Sequence, residues 1–570
     1  MNTLEDILTI TPTSIRAAIS RLPRTLDEAY DKILRRTPDP DRAKRFLHIV
    51  LTAKTPLTVA DMATAMAILD KVSPEDRLEI EPVHRMHRSI RETCGLLVTI
   101  IDSRIYLLHE TARDFLVYKE GESEPVPGLT WKASLKPHNS EWILAEACVG
   151  FLHSTDPTMA SKDQGDLMME FNRTPFLEYS VKNWNKHVLP SGIEKEPSLH
   201  SQIMDILRRV EAFCLWFDRK AASIHQFIPS TTLMRASWLG LRRAVQTLLQ
   251  DKDIKLDHRS THGRSALSLA AVYGTTDALE LLLNRSWSFP FWLRETRWID
   301  VNATDDSGLS PLAHAAYHGN ESIVSLLLSN RGIRPDLRAF SGRTPLGYAA
   351  GRGHLNIVKM LLAIGKVDPD SMDYAGLTPL VYAADTRHED VVNFLLNTGR
   401  VNPDRKDSRG MGLLSRAAHR GHDSIIQILL DFGVKDLNSR DKYGHTPLLH
   451  AVLGGHVKSV KSLLSTGIPD PNSRDADGQT PLAQASYHGH DEIVRLLLEY
   501  PAIDPNARDN YGRTPLAFAC KADHKNIVAL LLETGKVDPN SEDHDGFTPF
   551  THATESGNEH IIKLLLDASD

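Results

Sequence analysis

Glycine recurs every 34 residues along the second half of this chain, at Gly308, Gly342, Gly376, Gly410, Gly444, Gly478, Gly512 and Gly546. A fixed period of that length constrains the fold more than any bulk property. Each period must be one supersecondary unit that cannot bury its apolar face alone, so neighbours must stack, and stability becomes a sum of nearest-neighbour terms. The unit Arg343–Gly376 reads RTPLGYAAGRGHLNIVKMLLAIGKVDPDSMDYAG. Thr344 is placed to cap a helix, and Pro345 sits in its first turn, where a missing N–H costs nothing. Leu346, Ala349 and Ala350 share one side, and the small alanines let a second helix approach. Gly353 ends the first helix in a left-handed conformation. Ile357, Val358, Leu361 and Leu362 then fall at helical spacing on an apolar face, and Gly365 ends the second helix. The polar remainder up to Gly376 predicts an extended loop with a tight turn. Truncating Leu361 to Ala is expected to cost roughly 2–5 kcal/mol.

The same text follows Gly263, Gly308, Gly342, Gly376, Gly410, Gly444, Gly478 and Gly512, with a half-unit before it (Thr231–Gly263) and a last unit lacking its loop (Phe547–Asp570). The order TPL–AA–GH–IV–LLL–G–DPN–D–G resembles the ankyrin repeat, in the form common in fungal proteins. The resemblance covers residues 231–570 and implies a solenoid of about ten units. It also implies that loop tips and first helices line a concave face that holds a protein partner. On that basis Tyr317, Phe340, Tyr348, Tyr374, Tyr382, Tyr443, Tyr487 and Tyr511 are candidate contact residues, tyrosine being a favoured hot-spot residue. The sequence departs from the pattern in places. The usual histidine after TPL is absent. Gly412-Leu413 replaces Thr-Pro and removes one cap. Arg387 and Asp523 replace interhelix glycines at positions that call for positive φ. This middle region is expected to be the soft part of the stack. One unit is long: Gly263 to Gly308 spans 45 residues, 11 more than the period, and holds RSWSFPFWLRETRW. The aromatic insertion at 285–300, with Trp287, Phe291, Trp292 and Trp298, reads equally well as an interaction patch or as packing against the N-terminal region.

The N-terminal third has another pattern. Helical periodicity covers Thr25–Arg36, Asp41–Ala53, Val59–Leu69 and His84–Cys94. Strand-like runs follow at Gly95–Ile101 and Arg104–His109, then a helix from Glu110 to Tyr118. Helices followed by a hairpin predict a winged-helix-like domain over 1–124, with a helical connecting region over 125–230. LPRTLDEAYDKILRRT, LTAKTPLTVADMATAMAI and IYLLHETARDFLV resemble the segment that follows the nucleotide-binding domain in fungal NACHT–ankyrin proteins of the NLR-like signalling family, and FLEYSVKNWNKHV resembles the stretch before their repeats. The sequence holds no GxxxxGK[ST] loop, so no ATP binding is expected. The chain therefore resembles the C-terminal half of such a protein. The fold class that emerges is mostly α, an ankyrin-type solenoid preceded by an α-rich winged-helix-like domain.

Several other functions lose support. A net charge of -7 gives no general attraction for nucleic acid or anionic membrane, although Arg85, Arg88 and Arg91 lie on one side of the helix where a DNA-binding winged helix would carry its reading residues. No apolar run is long enough to span a bilayer. The four cysteines, Cys94, Cys148, Cys214 and Cys520, form no CxxC pair and suit a reducing compartment, cytoplasmic or nuclear. His354, His422, His456, His490 and His524 recur at one slot per unit. That places them a repeat apart, and no metal site is expected from them. Asp475-x-Asp477-Gly478 lacks the further ligands of a calcium loop and reads as a turn. No catalytic signature such as GxSxG or HExxH occurs. The expected function is a non-enzymatic binding scaffold without cofactor. The alternatives are the sensor half of an NLR-like receptor, or an auxiliary protein of a fungal secondary-metabolite pathway.

Overall fold

The computed structural model describes residues 25–71, 78–119, 129–155, 174–209, 231–284 and 299–569. The chain divides into two compact units, one of Met1–Ala270 with Thr275–Ile299 and one of Ala271–Gly274 with Asp300–Asp570. The aromatic insertion, and with it Trp287, Phe291, Trp292 and Trp298, lies outside the described residues.

The first unit opens with α1 (Leu26–Leu34), α2 (Pro40–Thr52), α3 (Val59–Leu69) and α4 (Val83–Cys94), then β1 (Val98–Ile101), β2 (Arg104–Leu107) and α5 (Glu110–Leu116). The first three helices have side-chain caps, from Thr25, Asp39 and Thr58 respectively, and α4 starts after Pro82 without one. The Thr58–Asp61 pair forms a full capping box. Between β1 and β2 the two turn residues, Asp102 and Ser103, both have positive φ (47° and 61°), the tight hairpin geometry whose twist suits antiparallel strands. β2 also bonds back to the chain before α3 through Ile105 N–H to Leu57 O at 2.9 Å. That completes the winged-helix pattern around a core of Phe46, Leu47, Met62, Met66, Met86 and Ile90.

Three more helices follow, α6 (Pro137–Ser154), α7 (Leu177–Ser191) and α8 (Pro197–Arg209), and α6 packs on α2, α3, α7 and α8. Polar groups fix this packing. Buried His187 bonds Tyr179 Oη through Nε2 (2.8 Å) and Glu141 through Nδ1 (2.6 Å), and Lys54 reaches the other Glu141 oxygen at 2.8 Å. Burial raises the Glu141 carboxyl, but the bonds from His187 and Lys54 outweigh it and hold its pKa below the usual range.

The second unit is a run of helix pairs, from Pro311–His318 with Glu321–Ser329 to Pro549–Ser556 with Glu559–Ser569. The first helices are capped as the sequence predicts: Ser310, Thr344, Thr378, Thr446, Thr480, Thr514 and Thr548 each accept a backbone N–H three residues on, with proline at the next position. Gly412 caps nothing with a side chain. Leu346, Ala349, Ala350, Ile357, Val358 and Leu361 are fully buried, as stacking requires.

Three contacts repeat from unit to unit and account for the period. In most loops an aspartate folds a turn, the loop of Phe340 having Ala339 in that slot: Asp373 Oδ1 accepts the amides of Ala375 (2.9 Å) and Leu377 (2.8 Å), and Asp475 accepts those of Asp477 and Gln479. Loop tips then bond to one another. Tyr374 N–H donates to Ser341 O at 3.1 Å, and Ala476 N–H to Tyr443 O at 2.9 Å. Gly342 sits beneath this link with φ +82°, and a Cβ there would lie 2.8 Å from Tyr374 N.

The second contact joins the loops lower down. Asn438 donates to Ile468 O (3.0 Å) and accepts from Asp470 N–H (2.9 Å), and Asn472 and Asn506 repeat this clamp. Asp336, Asp370 and Asp404 stand in that slot in three earlier units. Each leaves its Oδ1 buried without a hydrogen-bond partner among the described residues.

The third contact is the recurring histidine. His354, His456 and His524 each bond, through Nε2, a carbonyl of the preceding unit (Tyr317 O, His419 O and Tyr487 O), and their rings cover Gly319, Gly421 and Gly489 so closely that a Cβ could not be added. The histidines are thus interface residues. Arg387 and Asp523 do take positive φ (63° and 62°). Where Arg387 replaces the glycine, the next histidine, His422, bonds Ala384 O through Nδ1 instead.

Candidate binding face

The first helices and loop tips of the second unit carry the candidate contact residues, and the structure sorts them into two sets. Phe340, Tyr374, Tyr443 and Tyr511 stand at the loop tips, each more than half exposed, and Tyr487 is 45% exposed on its helix. At Tyr374, Tyr443 and Tyr511 the tip position follows from the turn, since the aspartate holds the backbone beneath it and the side chain between that aspartate and the glycine projects from the loop; Phe340 follows Ala339, where backbone bonds alone close the turn. Tyr317, Tyr348 and Tyr382 are half-buried and already engaged. The Arg343 guanidinium lies between Tyr348 (4.4 Å) and Tyr382 (3.5 Å), Arg352 lies over Tyr317 (4.1 Å), and Tyr382 Oη donates to Asp373 Oδ2 at 2.5 Å. Burial, followed by the Asp373 bond, raises the Tyr382 hydroxyl well above the phenol range. These three rings form a prebuilt rail, while the tip aromatics have most of their surface free.

The unit that lost its Thr-Pro cap carries a basic recess. Arg409, Met411, Arg416, His419 and Arg420 line a cavity of about 360 Å³. Arg416 is buried and forks between Asp385 of the unit before (2.5 and 3.3 Å) and Asp407 of its own loop (3.0 Å). Burial alone would favour its neutral form, but the two carboxylates reverse that and keep it charged. This fork bridges the interface where the sequence reads as softest. Arg409 and Arg420 are exposed at the rim.

Beside the recess, Asp441, His445 and His450 bring three ligand atoms within 4.8 Å of one another, and the His419 ring stands edge-on to His450 at 5.4 Å between centroids. Sequence reasoning missed this group. It looked for histidines at the 34-residue interval, whereas the group falls within one unit, spaced four and five residues apart. In the first unit, α4 exposes Arg85, Arg88 and Arg91 and buries Met86 and Ile90. No helix among the described residues is long and apolar enough to cross a membrane.

Stacked, capped helix pairs with aspartate turns define a repeat protein that presents a row of loop tips and first helices. The model of the ankyrin-repeat family matches residues 233–339, 332–407, 414–509 and 501–570, more than half of the chain, and the chain belongs to that family. Residues 30–125 match a second model, described as the winged helix domain of GPI inositol-deacylase, in agreement with the helices and hairpin above. The chain is also similar to the vegetative incompatibility protein HET-E-1 of Podospora anserina, 26% identical over 106 residues. That stretch is 18% of this chain and 7% of the length of that protein.

Proposed function

We propose that the chain is a non-enzymatic scaffold that holds a protein partner against the loop tips and first helices of its second unit. The observation that carries this is the row of large aromatic side chains at the loop tips. Phe340, Tyr374, Tyr443 and Tyr511 are held on rigid turns and left more than half exposed by their own chain. An exposed ring with two torsions to fix loses little entropy on binding and offers a large contact area. The partly engaged Tyr317, Tyr348 and Tyr382 supply a firm floor, and the basic recess favours a partner with acidic groups at that level.

Affinity purification of the full chain from its native cell, read by mass spectrometry, identifies the partner. Phe340→Ala with Tyr374→Ala then tests the face. The expected result is loss of the partner with unchanged thermal unfolding, and retention of the partner refutes the reading. A second reading, the sensor half of an NLR-like receptor that works with a separate nucleotide-binding protein, draws support from the winged-helix match and the similarity to HET-E-1. In that case the partner recovered carries the phosphate-binding loop that this sequence lacks.

A further inference from the structure

We propose that Asp441, His445 and His450 form a binding site for a divalent cation of the zinc class on the repeat surface. The three residues reach it from different parts of one unit. Asp441 opens the loop turn, His445 follows that turn, and His450 projects from the first helix, Pro447–Leu453. The carboxylate is fixed before any ion arrives, because Asp441 Oδ1 accepts the amides of Tyr443 and His445, both at 2.9 Å. Oδ2 is thereby presented to two imidazoles, His450 Nε2 at 3.0 Å and His445 Nδ1 at 3.7 Å. A tetrahedral zinc ion with bonds near 2.0–2.2 Å sets its ligand atoms roughly 3.3–3.5 Å apart; the two carboxylate-to-imidazole separations lie on either side of that value, and all three atoms stand within 4.8 Å of one another. Two imidazoles and a carboxylate suit zinc and its transition-metal neighbours better than magnesium or calcium, which prefer all-oxygen shells. Three protein ligands leave a fourth position for water.

The neighbouring units show what is particular here. In most units the turn aspartate meets a residue nine positions on, and that contact is part of the repeat. It is made by Tyr382, by Arg416 and by Gln484, none of which is a zinc ligand of this kind. Asp305–His314 and Asp543–His552 have the aspartate and one imidazole, but Leu309 and Phe547 occupy the His445 slot. Among the described residues only the unit of Asp441 assembles three ligands. A histidine placed on the repeat's ordinary frame turns a structural contact into a chelate.

The test uses zinc chloride titrated into the full chain against a chromophoric chelator. Wild type is expected to hold one more equivalent than His445→Ala at the same zinc activity, and His445→Ala should keep the metal-free thermal midpoint because His445 is partly exposed at the end of a turn. Retention of that equivalent by His445→Ala overturns the proposal. If His445→Ala lowers the metal-free midpoint, the decision passes to Phe547→His. That variant completes the same triad around Asp543 and His552 at an exposed position. A gain of one equivalent supports the site, and no gain overturns it.

Discussion

At the scale of single residues, the recurring glycine is set by two independent demands. At Gly342 the backbone is left-handed, and the next unit's Tyr374 amide occupies the space a side chain would need. Gly342→Ala therefore combines strain with loss of the tip-to-tip hydrogen bond. It is expected to lower stability by roughly 2–3 kcal/mol, measured as a shift in the urea midpoint. A control at Gly365, also left-handed but with nothing near a built Cβ, should lose only the strain part. The sequence shows this glycine column by its period, but it hides the second demand, because the obstructing atom belongs to a residue a full unit away. The recurring histidine shows the same limit. Its slot is legible, while its job of covering the preceding unit's glycine requires the stack. The tip aromatics Phe340, Tyr374, Tyr443 and Tyr511 could be picked out from their place just before the recurring glycine. The engagement of Tyr317, Tyr348 and Tyr382 by Arg352, Arg343 and Asp373 could not, since those partners meet them only through folding.

At the scale of the element, the loop clamp separates the units into two kinds. Asn438, Asn472 and Asn506 donate across the interface, whereas the carboxylates of Asp336, Asp370 and Asp404 in the same slot have no proton to give. Burial raises the Asp336 and Asp370 carboxyls above the usual range. Asp336→Asn, Asp370→Asn and Asp404→Asn should each stabilise the unit by about 1 kcal/mol at neutral pH. A carboxyl whose folded pKa is raised contributes its stability below the unfolded pKa and loses it as pH rises through the folded one. The advantage of the Asp336 and Asp370 variants over wild type should therefore be largest near pH 7 and shrink on acidification towards pH 4, as followed by thermal unfolding. The capless first helix Leu413–Arg420 illustrates compensation at this level. Its Gly412 was legible as a weakness. The Arg416 fork to Asp385 and Asp407 was not, because it joins residues from two units.

For the whole molecule, buried neutral histidines set the response to acid. His48 is buried on α2 with Nδ1 2.7 Å from Ser140 Oγ of α6, and burial, then the nearby Lys44 charge, pushes its pKa down to about 4. Between pH 6.5 and 4 the unfolded chain takes up a proton that the folded chain refuses. Stability of the first unit should thus be full above pH 6.5 and fall by roughly 3 kcal/mol as pH drops to 4. His48→Gln should flatten that limb of the stability curve, and an unchanged slope would show that other groups control it. The repeat text sets residues 231–570 apart from the N-terminal helices, whereas the two compact units divide near residue 300, inside that text, because the first repeat helices pack with the unit before them. The strand link from Ile105 to Leu57, and the His187 network that fixes α6 on α7, were not legible, since neither leaves a local pattern.

The contacts that hold one unit to the next, loop tip to loop tip, clamp to loop, histidine to glycine, all join equivalent or fixed-offset positions. The length of the array is therefore a free variable and its phase is not. Excising residues 445–478 joins Gly444 to Gln479 and returns each of these three contacts to a partner of the right kind in the right register. Removing one residue more or fewer puts the partners that meet across the junction out of register. A chain wired this way can lengthen or shorten its surface by whole units through recombination within the gene, and so alter what it recognises without redesigning how it folds.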